Sequence, residues 1–384
     1  MDDQTKKSAR LLSLDAFRGF DMLFIIGIDA IVWASMAYFQ CPGNEHGQWW
    51  LSRQFSHPRW FGLTFYDLIF PTFLFIAGIS FPFSYAKQVE KGMSKLAIHL
   101  KILKRAAILM FLGVVTNGLF ACRFETLGYG SVLGKIGEAW AIAAICYVNF
   151  GRKTRLGICL GLILAYAAML LFLVAPDAPA GCGSLTLEGC FIGWLDRLWM
   201  PGKLYLGDKL APSGVNVNFF ASATAMLGMF AGEIVRSGKW TGNRKTVNLL
   251  AMAAGLFAAA MVMKIWIPFS KMLWCPTFIL GVGAYSTAMF ALFYWLIDVK
   301  GFRGWTKFFT VIGVNSITIY MLQQIVNFGG VSEFFLKGAV ARWFTGAGGF
   351  FSAATGGVLI ALGALAAKWL LLWFLDRKKI YLKV

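Results

Sequence analysis

About ten runs of roughly 20 apolar residues, separated by short basic connectors, leave this 384-residue chain few ways to fold. Hydrophobic residues make up 58% and charged residues only 14%, whereas a soluble domain is about a quarter charged. The fold class that follows is all-α and polytopic, with helices packed against one another in a lipid bilayer. The runs lie near 17–39, 62–86, 98–120, 133–150, 156–175, 217–236, 247–268, 273–297, 308–328 and 354–375. The Gly-rich stretch 331–350 reads as an interfacial or re-entrant piece, or as an eleventh span. The net charge of +18 invites a nucleic-acid partner, but the Lys and Arg residues cluster in loops between apolar runs, which is the positive-inside pattern.

Those loop charges set an expected topology. With the N-terminus in the cytoplasm, the inner segments carry Lys6, Lys7 and Arg10, then Lys87 to Arg105, then Arg152, Lys153 and Arg155. Arg236 to Lys245, Lys300 to Lys307 and Arg377 to Lys383 complete the inner set. The alternation places both termini inside and treats residues 1–384 as one transmembrane domain. The first apolar run follows a short basic head without a small-residue cleavage site, so it reads as a retained anchor. Two long segments fall outside, near 40–61 and 176–216, and a long ordered loop usually has a functional reason. Cys41, Cys122, Cys182 and Cys190 lie on that side. Cys182 and Cys190 share a loop and could pair in an oxidising compartment, or remain free thiols.

Polar groups inside the apolar runs are the candidate functional residues, because an ionisable side chain in lipid is expensive and normally faces a cavity or a partner. The first run holds Asp15, Arg18, Asp21 and Asp29. Asp15 and Arg18 are three apart and can pair on one helix face. Asp29 sits late in its run and points to a cavity. Asp67 lies in the second run, four residues before Pro71, which cannot donate to the Asp67 carbonyl. Asn117, Glu138, Asn315 and Ser316 add polar groups to other runs. Taken singly the Asn and Ser residues suit helix-to-helix hydrogen bonds; several such residues on different runs together suggest a polar chamber. Among three histidines, His99 lies among basic loop residues and His46 among small polar ones. His57, followed by Pro58, Arg59 and Trp60, stands where loop meets membrane, and its imidazole titrates near neutrality. No CxxC, HExxH or Walker loop is present, so no metal is expected.

Several segments in order then carry a resemblance: LDAFRGFDM at 14–22, HPRWFGLTFYDLIFPTFLFIAG at 57–78, GWLDR at 193–197, LGMFAGEIVR at 227–236 and IGVNSITIY at 312–320. The set resembles the transmembrane acyltransferases related to heparan-α-glucosaminide N-acetyltransferase, bacterial relatives included, from about residue 11 to 376. The resemblance implies transfer of an acetyl group from cytoplasmic acetyl-CoA to an amino sugar or glycan across the membrane. It implies His57 as the active-site histidine. The family carries an Asn where this chain has Asp29, and the lysosomal enzyme has a His-Glu pair where this chain has Gln323 and Gln324. The expected catalytic set is His57, Asp29 and Asp67. Asp15, Arg18, Arg105, Lys135, Glu138, Asn315 and Ser316 are the expected acetyl-CoA- and substrate-binding residues, with Lys135 standing where the family tends to have Arg. The chain's size suggests a bacterial inner-membrane form. A homodimer stays open, as do two rival functions: a transporter or permease for a small sugar or anion, and an envelope-glycan O-acyltransferase.

Overall fold

A computed structural model describes residues 11–36, 50–122, 124, 127–345 and 353–382. The expected His46, Cys41 and much of the 40–61 loop lie outside them. In chain order, α1 (Leu12–Leu23) continues through a π-helical turn (Phe24–Ile28) into α2 (Asp29–Ser35), followed by the short α3 (Trp50–Gln54). Then come α4 (Phe65–Glu90), α5 (Lys95–Thr116), α6 (Val132–Asn149) and α7 (Arg152–Phe172). The 176–216 segment contains α8 (Phe191–Trp199) and α9 (Tyr205–Asp208). The chain goes on through α10 (Val215–Arg236), α11 (Gly242–Met263) and α12 (Pro276–Tyr294). It ends with α13 (Thr306–Val314), α14 (Ser316–Ile325), α15 (Phe328–Val340) and α16 (Ala353–Arg377). Among the described residues there are isolated β-bridges but no strand.

Among the described residues each expected apolar run is largely helical, but the count of about ten spans is not sustained. Among the described residues, six helices are long and apolar enough to cross a bilayer, or seven if α13 and α14, bent by 67°, form one broken span. The reason is charge. The first run carries Arg18, Asp21 and Asp29 and is interrupted by the π turn, and α5 carries Lys101, Lys104 and Arg105 near its middle. The helix at 132–149 is short and holds Lys135 and Glu138. The 13-residue α15 covers only the first part of the 331–350 stretch and is about 20 Å long at 1.5 Å per residue, against a hydrocarbon core of about 30 Å; residues 346–350 lie outside the described residues. The six long apolar helices still make the chain an integral membrane protein.

Contacts divide the chain into two compact units. The first contains 1–35, 240–247 and 289–382. In it, Gly19 and Gly313 let α1 and α13 touch backbone to backbone, because a Cβ at either position would collide with a main-chain carbonyl of the other helix. Phe17, Phe20, Phe293 and Phe309 pack around this crossing. Lys368 on α16 donates to the Ile26 carbonyl, a group exposed by the π turn, at 2.7 Å.

The second unit, mainly 36–239 and 248–288, is built on α4 and α10. Gly78, Gly228 and Gly232 lie where any side chain would strike the carbonyl of Ala225, Phe75 or Ile79 across the interface. This small-residue contact is how helices associate in lipid, where the hydrophobic effect offers no preference between a neighbour and a lipid tail. Thr72 and Ser286 share a buried hydrogen bond of 2.8 Å between α4 and α12. The described cysteines are free thiols, Cys182 and Cys190 included, so the loop disulfide does not form.

Candidate active site

The site begins with the cap of α4. Thr64 is extended and forms a capping box with Asp67 three residues on: the Thr64 backbone N–H donates to Asp67 Oδ2 at 3.1 Å. Asp67 therefore occupies the first turn of the helix rather than the interior of a span, which corrects its expected depth. A carboxylate there also complements the positive end of the helix dipole. Its other oxygen, Oδ1, meets His57 Nδ1 at 2.6 Å.

The strap from Ser56 to Thr64 that carries His57 is fixed along its length. Thr64 Oγ1 donates to the Ser56 carbonyl at 2.8 Å, Trp60 Nε1 donates to the Leu185 carbonyl at 2.8 Å, and the Gly62 N–H donates to the Phe269 carbonyl at 2.8 Å. Gly62 has φ +141°, and a Cβ there would also press on Pro58, so the turn requires glycine. The His57 ring lies against Tyr66, with centroids 5.2 Å apart. Asp67's side chain is 1% exposed and that of His57 is 41% exposed. A buried carboxylate thus holds an accessible imidazole, and Nε2 is left as the nitrogen that can meet a reactant.

A third group completes the cluster. Lys271 Nζ is 3.5 Å from Asp67 Oδ1, 3.4 Å from His57 Nδ1 and 3.3 Å from His57 Nε2. Near-equal distances to both ring nitrogens put the ammonium beside the ring rather than along either lone pair. Burial pushes the Lys271 ammonium below its ordinary value, and the Asp67 carboxylate opposes that shift. The 264–275 loop that delivers Lys271 is itself pinned. Thr277 Oγ1 donates to the Ile267 carbonyl, Cys275 Sγ lies 3.3 Å from the Pro268 carbonyl, and the Trp274 indole donates to Thr224. Trp274, 1% exposed, adopts a left-handed φ of +49°, a strained conformation that these contacts maintain.

Residues 10–178, which include His57 and Asp67, match the family described as a domain of unknown function, DUF5009. The chain is similar to heparan-α-glucosaminide N-acetyltransferase. The mouse (Mus musculus) protein of that name is 25% identical over 378 residues, which is 84% of this chain and 55% of the relative. The human (Homo sapiens) protein is 24% identical over 369 residues, 82% of this chain and 53% of the relative. The chain spans about half the length of the curated relatives it matches.

The other segments that carry the resemblance take distinct places. GWLDR is a structural knot. Asp196, fully buried, accepts from the Ala211 N–H at 2.8 Å and from Asn216 Nδ2 at 2.9 Å. Arg197 grips Asp177 through two hydrogen bonds of 2.9 and 2.7 Å and donates to the Lys209 carbonyl. Burial pushes the Asp196 carboxyl up to about 6. Lys135, 1% exposed, donates to the Pro212 carbonyl and lies 3.8 Å from the Trp274 ring centroid. On the same helix, Glu138 accepts from Asn218 at 2.7 Å. Lys135 and Glu138 are therefore engaged by protein groups.

Asp15, Arg18, Asp29, Asn315 and Ser316 belong to the first unit. Asp15 and Arg18 approach to 3.8 Å as an i, i+3 pair. Asp29 begins α2 and accepts from the Ala30 N–H at 2.7 Å. Asn315 is buried at the bend between α13 and α14. Arg105 stacks over Trp140, 4.5 Å from the ring centroid. Sequence reasoning brought His57 and Asp67 forward and missed Lys271, whose only signal is a lone cation between two apolar runs. Among the described residues, no group of three or more His, Cys, Asp or Glu side chains could hold a metal ion.

Proposed function

We propose that this chain is a membrane-embedded acetyltransferase that works as one domain and moves an acetyl group from acetyl-CoA to an amino sugar or related glycan. The observation that carries the reading is the contact of His57 Nδ1 with the buried Asp67, with Lys271 alongside. The similarity to N-acetyltransferases over most of the chain supports it. In this reading Asp67 holds the Nδ1–H tautomer, so Nε2 keeps its lone pair for the reaction.

Two routes use that lone pair. As a general base, Nε2 takes a proton from the acceptor amine while the amine nitrogen bonds the thioester carbon; the CoA thiolate then leaves and takes up that proton. As a nucleophile, Nε2 bonds the acyl carbon and expels the thiolate, and the amine then displaces the imidazole. Either way negative charge develops on the carbonyl oxygen, and the Lys271 ammonium stands beside the ring to meet it. The basic residues Lys101, Lys104 and Arg105 lie towards the far end of α4 from His57. By the positive-inside rule, His57 would face away from the cytoplasmic pool of acetyl-CoA, so the thioester would be brought into the membrane.

The test is acetyl transfer from acetyl-CoA to glucosamine by purified protein, wild type against His57→Ala. Wild-type turnover with a defect of about 10²–10⁴-fold in the variant supports the role. Equal rates for the two proteins, or no transfer by either with any amino sugar, rejects it. Trapping a labelled acetyl-enzyme from acetyl-CoA alone separates the nucleophile from the base.

A further inference from the structure

We infer that Lys271 is itself an acetyl acceptor: when no sugar amine is present, the acetyl group carried by His57 passes to Lys271 Nζ and stays there as an amide. This modification site rests on the acetyltransferase reading above and extends it to the protein's own chain.

Lys271 stands where an attacking amine has to stand. Its Nζ is 3.3 Å from His57 Nε2 and 3.4 Å from His57 Nδ1. A nitrogen that close to both ring nitrogens cannot lie in the ring plane without striking the carbon between them, so Nζ sits over a face of the imidazole. An acetyl group on Nε2 is conjugated with the ring and shares its plane, with the carbonyl carbon one bond beyond Nε2. Amines add to such a carbon from above that plane, the side on which Nζ lies. Reacting atoms held about 3–3.5 Å apart are in near-attack range.

The loop that delivers Lys271 is held against the His57 strap. The Gly62 N–H of the strap donates to the Phe269 carbonyl of the loop at 2.8 Å. On the other side of Lys271, the Tyr166 hydroxyl donates to the Leu273 carbonyl and the Trp274 indole to Thr224. An amine fixed in this way reacts as though present at about 10⁵–10⁸ M, which turns a slow acylation into a competitive one. Lys264, exposed at the start of the same loop, points elsewhere and lies 5.9 Å from the Phe269 ring centroid.

The amine is also chemically competent. The Lys271 side chain retains 21% exposure, against 1% for Asp67, so its extra proton has a route to water. Burial pushes its ammonium below the ordinary value, which enlarges the neutral, nucleophilic fraction.

The step balances. His57 Nε2 first takes the acetyl group from the acetyl-CoA thioester, and the thiolate leaves. The Lys271 ammonium gives one proton to water. Its lone pair then bonds the acyl carbon, the bond from that carbon to Nε2 breaks, and the electron pair returns to the ring. The freed Nε2 accepts the second proton from Nζ. The product is a neutral amide, so the charge beside the ring is gone. Protein modified in this way should turn over about 10²–10³-fold more slowly, because the group facing the oxyanion is lost.

The experiment incubates detergent-solubilised full chain with labelled acetyl-CoA, with and without glucosamine. The protein is then treated with hydroxylamine, which strips acetyl from imidazole but not from a lysine amide, and peptides are mapped by mass spectrometry. Wild type, His57→Ala and Lys271→Arg are compared, and Lys264 reports uncatalysed acetylation. Without glucosamine, Lys271 should be acetylated at least about tenfold faster than Lys264. The rate at Lys271 should fall about 10²–10⁴-fold in His57→Ala, with Lys264 unchanged. Glucosamine should suppress the modification several-fold in wild type, a comparison that needs no variant. Lys271→Arg should carry only the hydroxylamine-labile label. An unmodified Lys271 in wild type that does acetylate glucosamine overturns the inference and leaves the acetyltransferase reading standing. Modification of Lys271 no faster than Lys264, or equal in His57→Ala, overturns it as well. Modified Lys271 with no transfer to glucosamine supports the inference and counts against glucosamine as the acceptor. No label on Lys271 and no transfer to glucosamine overturns both.

Discussion

Asp67 spends its two carboxylate oxygens on different tasks: Oδ2 receives the backbone N–H of Thr64 and closes the cap of α4, while Oδ1 receives His57 Nδ1 at 2.6 Å. Helix start and imidazole orientation are thereby one structural unit. A fluctuation that frays the first turn of α4 also releases the ring.

Asp67→Asn keeps the volume but replaces one charged oxygen by a donor. Transfer is expected to fall by about 10²–10⁴-fold, the usual contribution of a positioned base, because the ring loses its tautomer and its orientation. The cap weakens by about 0.5–2 kcal/mol. Rates and melting curves of Asp67→Asn and His57→Ala, measured side by side, check this. His57→Ala should lose the activity with little change in melting temperature, since its side chain is 41% exposed.

Lys271→Met removes the ammonium beside the ring. If that group meets the developing oxyanion, kcat should drop by about 10²–10³-fold with KM nearly constant. Lys271→Arg should recover part of the loss because it keeps the charge. A rise in KM with unchanged kcat would instead assign Lys271 to ground-state binding.

Asp196 predicts a pH dependence of stability. Burial raises its carboxyl to about 6 in the folded protein, above the unfolded value of about 3.9. The folded state then holds the proton more tightly. The stabilising contribution is complete below about pH 3.9 and is lost as pH rises through about 6. Melting temperature measured from pH 4.5 to 7.5 should therefore fall more steeply for wild type than for Asp196→Asn. Parallel curves would show that Asp196 does not titrate in this window.

Gly78→Leu tests the α4–α10 interface. The added side chain would enter the space occupied by the Ala225 carbonyl, and overpacking of this kind costs about 1–3 kcal/mol or more. A lower melting temperature and a poorer yield of monodisperse protein are expected. Gly255→Leu on α11, where a Cβ meets nothing within 4 Å, is the control that should behave as wild type.

The helices were legible because a hydrophobic run in lipid must satisfy its own backbone, and among the described residues each expected run is largely helical. The number of spans was less legible, because sliding apolarity does not weigh Lys101, Lys104 and Arg105 on one helix or the π turn before Asp29. In the candidate site, His57 and Asp67 lie ten residues apart in one motif, so their pairing could be read from a local segment. Lys271 is 214 residues from His57 and arrives only through the packing of the 264–275 loop on the His57 strap.

GWLDR shows the opposite error of emphasis: a segment that carries family resemblance holds the 176–216 loop together through Asp196 and Arg197. Sequence alone determined the helical class and the membrane setting. Tertiary structure decided Asp67's place in the first turn and the third member of the cluster. Local periodicity fixes which backbone forms hydrogen bonds with itself, but side chains distant in sequence meet only where packing brings their loops together.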